Sequence, residues 1–142
     1  MLVFFDIKVD YDLNIMKPNQ TLHQLTADLI SRITNEILLK ETFDYVFVQG
    51  DTTTVLAGSL AAFYQKIKVI HIEAGLRSGN MLSPFPEEAN RVLTSKLAEF
   101  HFCPTENSKQ NLIVENISKN VFIVGNTVID ALFLGLGKIK LV

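Results

Sequence analysis

Apolar residues recur at Leu22, Leu25, Leu29, Ile33 and Ile37, the spacing of one helix face, and predict a helix over 21–39. Thr21 with Gln24 supplies a capping-box pattern at its start. The rhythm then changes. Tyr45-Val46-Phe47-Val48-Gln49 is a short apolar run, predicted as a strand buried on both faces. Gly50-Asp51 breaks it, and the Ala- and Leu-rich stretch from Thr52 to Tyr64 reads as a helix. Lys68–Ile72 is a second, β-branched strand, followed by a loop with Gly75, Gly79, Pro84 and Pro86. Pro86 suits the first turn of a helix over 86–98. Phe100–Cys103 predicts a third strand that Pro104 ends, and Thr105 can cap a helix reaching Asn116. Val121–Val124 is a fourth strand, and Gly125-Asn126 turns the chain into a last helix from Thr127. Residues 1–16 and the closing GLGKIKLV are less regular.

Strands and helices alternate with no hairpin signal between them. That order predicts βαβ units: an α/β, three-layer, mainly parallel, Rossmann-like sheet with right-handed crossovers. Four strands is few for a doubly wound domain, and the N-terminal region carries no Gly-rich phosphate loop.

Composition narrows the function classes. A chain of 142 residues, 48% hydrophobic and 20% charged, has the size and apolar content of one domain. A net charge of −2 with interspersed signs argues against a partner held by phosphate neutralisation, so no nucleic acid is expected. Cys103 is the lone cysteine, so no internal disulfide can form and nothing points to an oxidising compartment. MLVFFDIKVD lacks the basic region of a signal peptide. The longest charge-free run, Thr52 to Gln65, is shorter than the roughly 18 residues that suggest a membrane span. A cytoplasmic domain without membrane association is the expectation.

The candidate chemistry lies between Gln49 and Arg91. Asp51, Glu73 and the Glu87-Glu88 pair each fall where a strand ends or a helix begins. Beyond the carboxyl ends of parallel strands is where an open α/β sheet binds its ligands. Each position has an ordinary alternative. Asp51 or Thr52 could simply cap a helix, or the turn could form an anion site at that helix N-terminus. Glu73 directly follows VIHI and is partly desolvated there, which suits acid–base work. It could instead pair with Arg77, as a structural bridge or as a substrate clamp. Acids at 87 and 88 are expected from the helix dipole alone. Adjacent helical side chains diverge by about 100°, so at most one of the two faces the same site as Asp51 and Glu73. Gly125-Asn126-Thr127 could offer backbone amides to a ligand or serve as an ordinary cap. His71, inside a strand, reads as a core or supporting histidine. His23, His71 and His101 show no ligand spacing, so neither a metal nor another cofactor is expected.

Taken together, DYDLNIM, VQGDTTT, SLAAFYQ, HIEAGLRSG, SPFPEEANR, PTENSKQNL and VGNTVIDAL, from about Tyr11 through Leu132, resemble the non-hydrolysing UDP-N-acetylglucosamine 2-epimerases. The resemblance implies one half of the GT-B arrangement, in which two Rossmann-like domains hold a UDP-sugar between them. It implies interconversion of UDP-GlcNAc and UDP-ManNAc by elimination of UDP to a 2-acetamidoglucal and re-addition on the other sugar face. The family's catalytic acids fall on Asp51, Glu73 and Glu87. Glu88 and Arg91 fall in the same family motif, with Glu88 beside a neighbouring regulatory UDP-GlcNAc site; Arg77 and Asn126 are candidates for substrate-binding or supporting roles from their own settings.

Against that pattern, 1–142 reads as a single partial domain. Leu2-Val3-Phe4-Phe5 matches the tail of a later helix of the family, so the first strand, first helix and second strand, with their Gly-Thr-Arg-Pro-Glu loop, are expected to be absent. The second domain, which supplies a catalytic histidine and most uridine and phosphate contacts, is expected to be absent too. The expectation is therefore an incomplete epimerase, inactive alone and inclined to form homo-oligomers or pair with full-length subunits. The alternatives are a fragment of the hydrolysing branch, which releases ManNAc and UDP, a glycosyltransferase half-domain, and a non-catalytic interaction protein.

Overall fold

A computed structural model describes residues 2–139. Helix α1 (Leu22–Ile33) runs into a π-helical turn (Thr34–Leu38), followed by β1 (Tyr45–Gln49), α2 (Thr53–Tyr64), β2 (Lys68–Ile72), α3 (Glu87–Leu97), β3 (Phe100–Cys103), α4 (Glu106–Val114), β4 (Val121–Ile123) and α5 (Thr127–Ile139). Hydroxyls start three of these helices: the oxygens of Thr21, Thr52 and Thr105 accept from the amides of Gln24, Val55 and Ser108. The capping box at Thr21 is half formed, because the Gln24 side chain does not reach back but donates its Nε2–H forward to Asp28 at 2.8 Å. The helix expected over 21–39 changes type at Thr34. The Leu39 amide reaches back to the Thr34 carbonyl at 3.0 Å, and this wider turn brings Leu38 into the core.

The four strands are all parallel and lie in the order β1-β2-β3-β4, with Val48, His71, His101 and Val121 in one row across them. Right-handed crossovers in that order put α2, α3 and α4 on one face. Val46, Val48, Val69, His71, His101, Cys103 and Val121 point toward those helices. One core cluster joins Leu38, Val48, Val55, Ala61, Ala62 and Val69, and a second joins Ala74, Cys103 and Leu112. Gln49 shares the opposite face with Tyr45 and Phe47 and donates to the Thr127 hydroxyl at 3.1 Å. The chain therefore enters α5 from that other side of the sheet. Phe4 and Phe5 pack against Gly135 of α5. No helix among the described residues is long and apolar enough to cross a membrane.

Three expectations need correcting. β1 is not buried on both faces: it is an edge strand, with Phe47 60% and Tyr45 41% exposed. The aromatic residues of that open face touch edge to face, Tyr45 with Phe100 and Phe102 with Phe122. Leu2-Val3-Phe4-Phe5 forms turns rather than a helix tail, with the Ile7 amide bonded to the Leu2 carbonyl at 2.9 Å. The fourth strand ends at Ile123, although the Val124 amide still reaches the Cys103 carbonyl at 3.0 Å. Of the closing GLGKIKLV, residues 140–142 lie outside the described part of the chain.

Gly75 fixes how the loop after β2 meets α4. Its φ is +83°, and a Cβ there would overlap the backbone carbonyl of Ser108. Left-handed strain and overpacking each cost about 1–3 kcal/mol. Gly75→Ala is therefore expected to destabilise the fold by about 3 kcal/mol or more, as read from urea unfolding. A loss below about 1 kcal/mol would mean that the loop re-routes freely.

His101 gives the fold a pH dependence. Burial, helped by the nearby His71 and Arg77, pushes its pKa down from 6.5 to about 4. The unfolded chain takes up this proton near pH 6.5, the folded chain only near 4. Stability is thus fully present above 6.5 and falls as the pH drops through that window, by about 3 kcal/mol for His101. Urea unfolding at pH 7 and pH 4 should show the loss, and His101→Gln should lessen it, leaving the share that belongs to His71, whose pKa burial also lowers. An unchanged slope in the variant would assign the effect to other groups.

Candidate active site at the carboxyl edge of the sheet

β1 and β2 end side by side, with Gln49 opposite Ile72. Gly50 makes the turn with φ +81°, a conformation natural to glycine. Its amide donates to the Ile72 carbonyl at 3.1 Å, and its own carbonyl accepts from His71 Nε2 at 2.8 Å. Thr52, not Asp51, caps α2. The Asp51 carboxylate is therefore free for other work, and it meets the Arg91 guanidinium of α3. Asn90 Nδ2 donates to the Asp51 carbonyl at 2.9 Å, so two consecutive residues of α3 hold this one turn.

Glu73 leaves β2 with φ +66°, a backbone state that costs a side-chain-bearing residue about 1–3 kcal/mol and clusters at functional sites. Its Oε2 lies 3.7 Å from the position a methyl group on Gly50 would take, so its carboxylate stands over the Gly50-Asp51 turn. Glu87 and Glu88 divide their roles. Glu87, half-buried, precedes Asn90 and Arg91 by three and four residues, and so shares the stripe of α3 that meets Asp51. Glu88 is buried. Its Oε1 accepts from the amides of Ser78 and Gly79, both at 3.0 Å, and its Oε2 sits 3.2 Å from Arg91 Nη1. Glu88 thus ties the loop after β2 to α3 and to the arginine that holds Asp51, while Glu87 enters only by its spacing along α3.

Arg77 does not pair with Glu73, as a bridge or as a clamp. Its guanidinium takes Glu115 through two bonds, at 2.6 and 2.9 Å, and also binds Ser95 Oγ at 3.0 Å and the Leu76 carbonyl at 2.8 Å. The planar fork satisfied by a carboxylate explains the choice. Arg77 joins α3 to the end of α4, and hydrogen bonding to it holds the Glu115 carboxyl below its usual range. Asn126 caps α5 in part: its Oδ1 accepts from the Val128 amide at 3.1 Å. His71 is fully buried in β2, and burial pushes its pKa down. No group of three His, Cys, Asp or Glu among the described residues could hold a metal ion.

Sequence reasoning did not single out Asn90, Ser95 or Glu115. For Asn90 adjacency to Arg91 is no signal, since neighbouring helical side chains diverge by about 100°; the two meet one residue because Asn90 takes the Asp51 carbonyl and Arg91 its carboxylate. Glu115 has no signal either, because its pairing with Arg77 spans 38 residues.

The fold and this site together define a Rossmann-like α/β unit that gathers carboxylates and an arginine beyond the ends of its parallel strands. The UDP-N-acetylglucosamine 2-epimerase family model matches residues 1–141, and the chain belongs to that family. It is 59% identical over 142 residues to the UDP-N-acetylglucosamine 2-epimerase of Neisseria meningitidis serogroup A, covering 99% of this chain and 38% of that protein. It is 56% identical over 133 residues to the enzyme of the same name from Escherichia coli (strain K12), covering 93% of this chain and 35% of the relative. The crystal structure of the Neisseria meningitidis enzyme bound to UDP-GlcNAc superposes with a TM-score of 0.93 at 60% identity, over 98% of this chain and 38% of that one. The Methanocaldococcus jannaschii UDP-GlcNAc 2-epimerase gives a TM-score of 0.90 at 42% identity, again over 98% and 38%. The chain thus spans well under half the length of these relatives.

Proposed function

We propose that this chain carries the acid cluster of a non-hydrolysing UDP-GlcNAc 2-epimerase, as the latter part of its N-terminal domain, and that it works in the cytoplasm only together with the remainder of such an enzyme. One observation carries the reading: Asp51 and Glu73 emerge from adjacent strand ends, while α3 brings Asn90 and Arg91 onto Asp51 and places Glu87 on the same stripe.

The chemistry asks for this grouping. To invert C2 of the sugar, a base takes the C2 proton as the C1–O bond to UDP breaks. An acid must then return a proton to the opposite face as UDP adds back. Several carboxylates on one edge can share those transfers. Asp51, Glu73 and Glu87 take the proton-handling roles in this proposal. Arg91 and Glu88 orient Asp51 and the loop after β2, Arg77 secures that loop from behind, and the turn at Asn126 lies at the same sheet edge for ligand contact. No cofactor is required, because the substrate's own leaving group drives the elimination.

The test is deuterium incorporation at C2 of UDP-GlcNAc in heavy water. The chain alone is expected to give none. Joined to the flanking segments of the Neisseria meningitidis relative, it is expected to give exchange together with UDP-ManNAc. Free ManNAc without exchange into the recovered nucleotide sugar would assign the hydrolysing reaction instead. No reaction at all in the joined protein would sink the proposal.

A further inference from the structure

His71 is the buried group that the acid cluster leaves unexplained. It lies in the middle of β2, 0% exposed, in register with Val48 and His101. The only hydrogen bond of its side chain among the described residues runs from Nε2 to the Gly50 carbonyl at 2.8 Å. A carbonyl can only accept, so the imidazole donates and the proton sits on Nε2. Nδ1 has no partner and is sealed from solvent. A second proton there would be a buried donor with nothing to receive it, which keeps the ring neutral.

The bond matters because of what it grips. Gly50 is the residue with the widest backbone freedom in the turn. Its peptide groups are held at both ends, the amide by the Ile72 carbonyl and the carbonyl by His71. The next carbonyl, that of Asp51, is held by Asn90. With both carbonyls pinned, the backbone that carries the Asp51 side chain is fixed, and from it the carboxylate meets Arg91. The same Gly50 lies beneath the Glu73 carboxylate. A displacement of about 1 Å at such a place is enough to cost a reaction about 10²-fold.

We propose that His71 is a positioning residue, whose Nε2–H anchors the Gly50 carbonyl and so fixes the turn that carries the Asp51 carboxylate to Arg91, with the Glu73 carboxylate over Gly50. The use of that arrangement in epimerisation rests on the functional reading above; the anchoring itself does not.

Nitrogen NMR of the 142-residue chain tests it. Two-bond proton–nitrogen couplings should show the Nε2–H tautomer of His71; an Nδ1–H tautomer would overturn the proposal. The guanidinium resonances of Arg91 and Arg77 then serve as a matched pair. His71→Leu should erase the signature of Arg91 bound to Asp51 while leaving that of Arg77 bound to Glu115. His71→Gln, whose amide can reach the Gly50 carbonyl, should restore it, and the shorter His71→Asn should not. Should His71→Leu fail to fold, the Gln and Asn variants decide between them. Equal behaviour of Gln and Asn, or joint loss of both arginine signatures, would reduce His71 to a core filler. An intact Arg91 signature in a joined enzyme that shows no C2 exchange would count against the epimerase reading alone.

Discussion

Asp51→Asn, introduced into an epimerase of full family length that contains this segment, is expected to lower turnover by about 10²-fold or more, the usual scale for an acid–base group. Glu73→Gln and Glu87→Gln should do the same. The amides keep nearly the same shape but cannot take up or deliver the proton. Glu106→Gln is the internal control. Glu106 is also an acid in a first helical turn, but it is exposed at the start of α4, and no contact ties it to Asp51. Its charge serves the helix dipole, worth about 0.3–1 kcal/mol of stability and no catalysis. Steady-state rates for the four variants decide the matter. Small and equal losses at all four positions would make the cluster a structural one.

The second large effect concerns the isolated chain. The open edge of β1 presents unpaired backbone groups beside Phe47 and Tyr45, and the same sheet face continues through Phe100, Phe102 and Phe122. An apolar, uncharged edge invites pairing with another chain. The described residues of 1–16 contribute no strand to cover it. The chain is therefore expected to self-associate or to seek a longer subunit, and sedimentation should show mass rising with concentration. Phe47→Lys, which puts a charge on that edge, should shift the distribution toward monomer. Hydrogen exchange gives the opposing outcome its chance: a monomer with residues 45–49 strongly protected and a cooperative unfolding transition would show that the chain closes its own sheet.

Most of the element order was legible because each signal was local. Pro104 and Pro86 punctuate the chain, Thr105 caps, and four short apolar runs separate the helices. The open face of β1 was not legible, because YVFVQ has the composition of a strand covered on both sides; its open edge was legible, because the family resemblance leaves that strand without its neighbour. The π turn at Thr34–Leu38 escaped for a related reason: Ile33 and Ile37 keep the α-helical spacing, and the extra residue shows only when Leu38 finds the core. At the site, the sequence placed the acids at strand ends but offered two residues as the cap. The structure chose Thr52, whose hydroxyl can reach the Val55 amide, and so left Asp51 to Arg91. The suggested bond from Glu73 to Arg77 failed because closeness in sequence is weak evidence in a loop. A buried guanidinium needs a carboxylate in its plane, and Glu115 supplies one.

The strand order has a consequence for how this chain is made. Sequence order and spatial order coincide, so no strand must later be inserted between two earlier ones. As the polypeptide leaves the ribosome, each βα unit can dock on the one just completed, and the growing edge moves from β2 to β4 in step with synthesis. Contacts close over short stretches of chain, which keeps the entropic cost of each step low. β1 itself waits for one crossover, because its partner β2 is made only after α2.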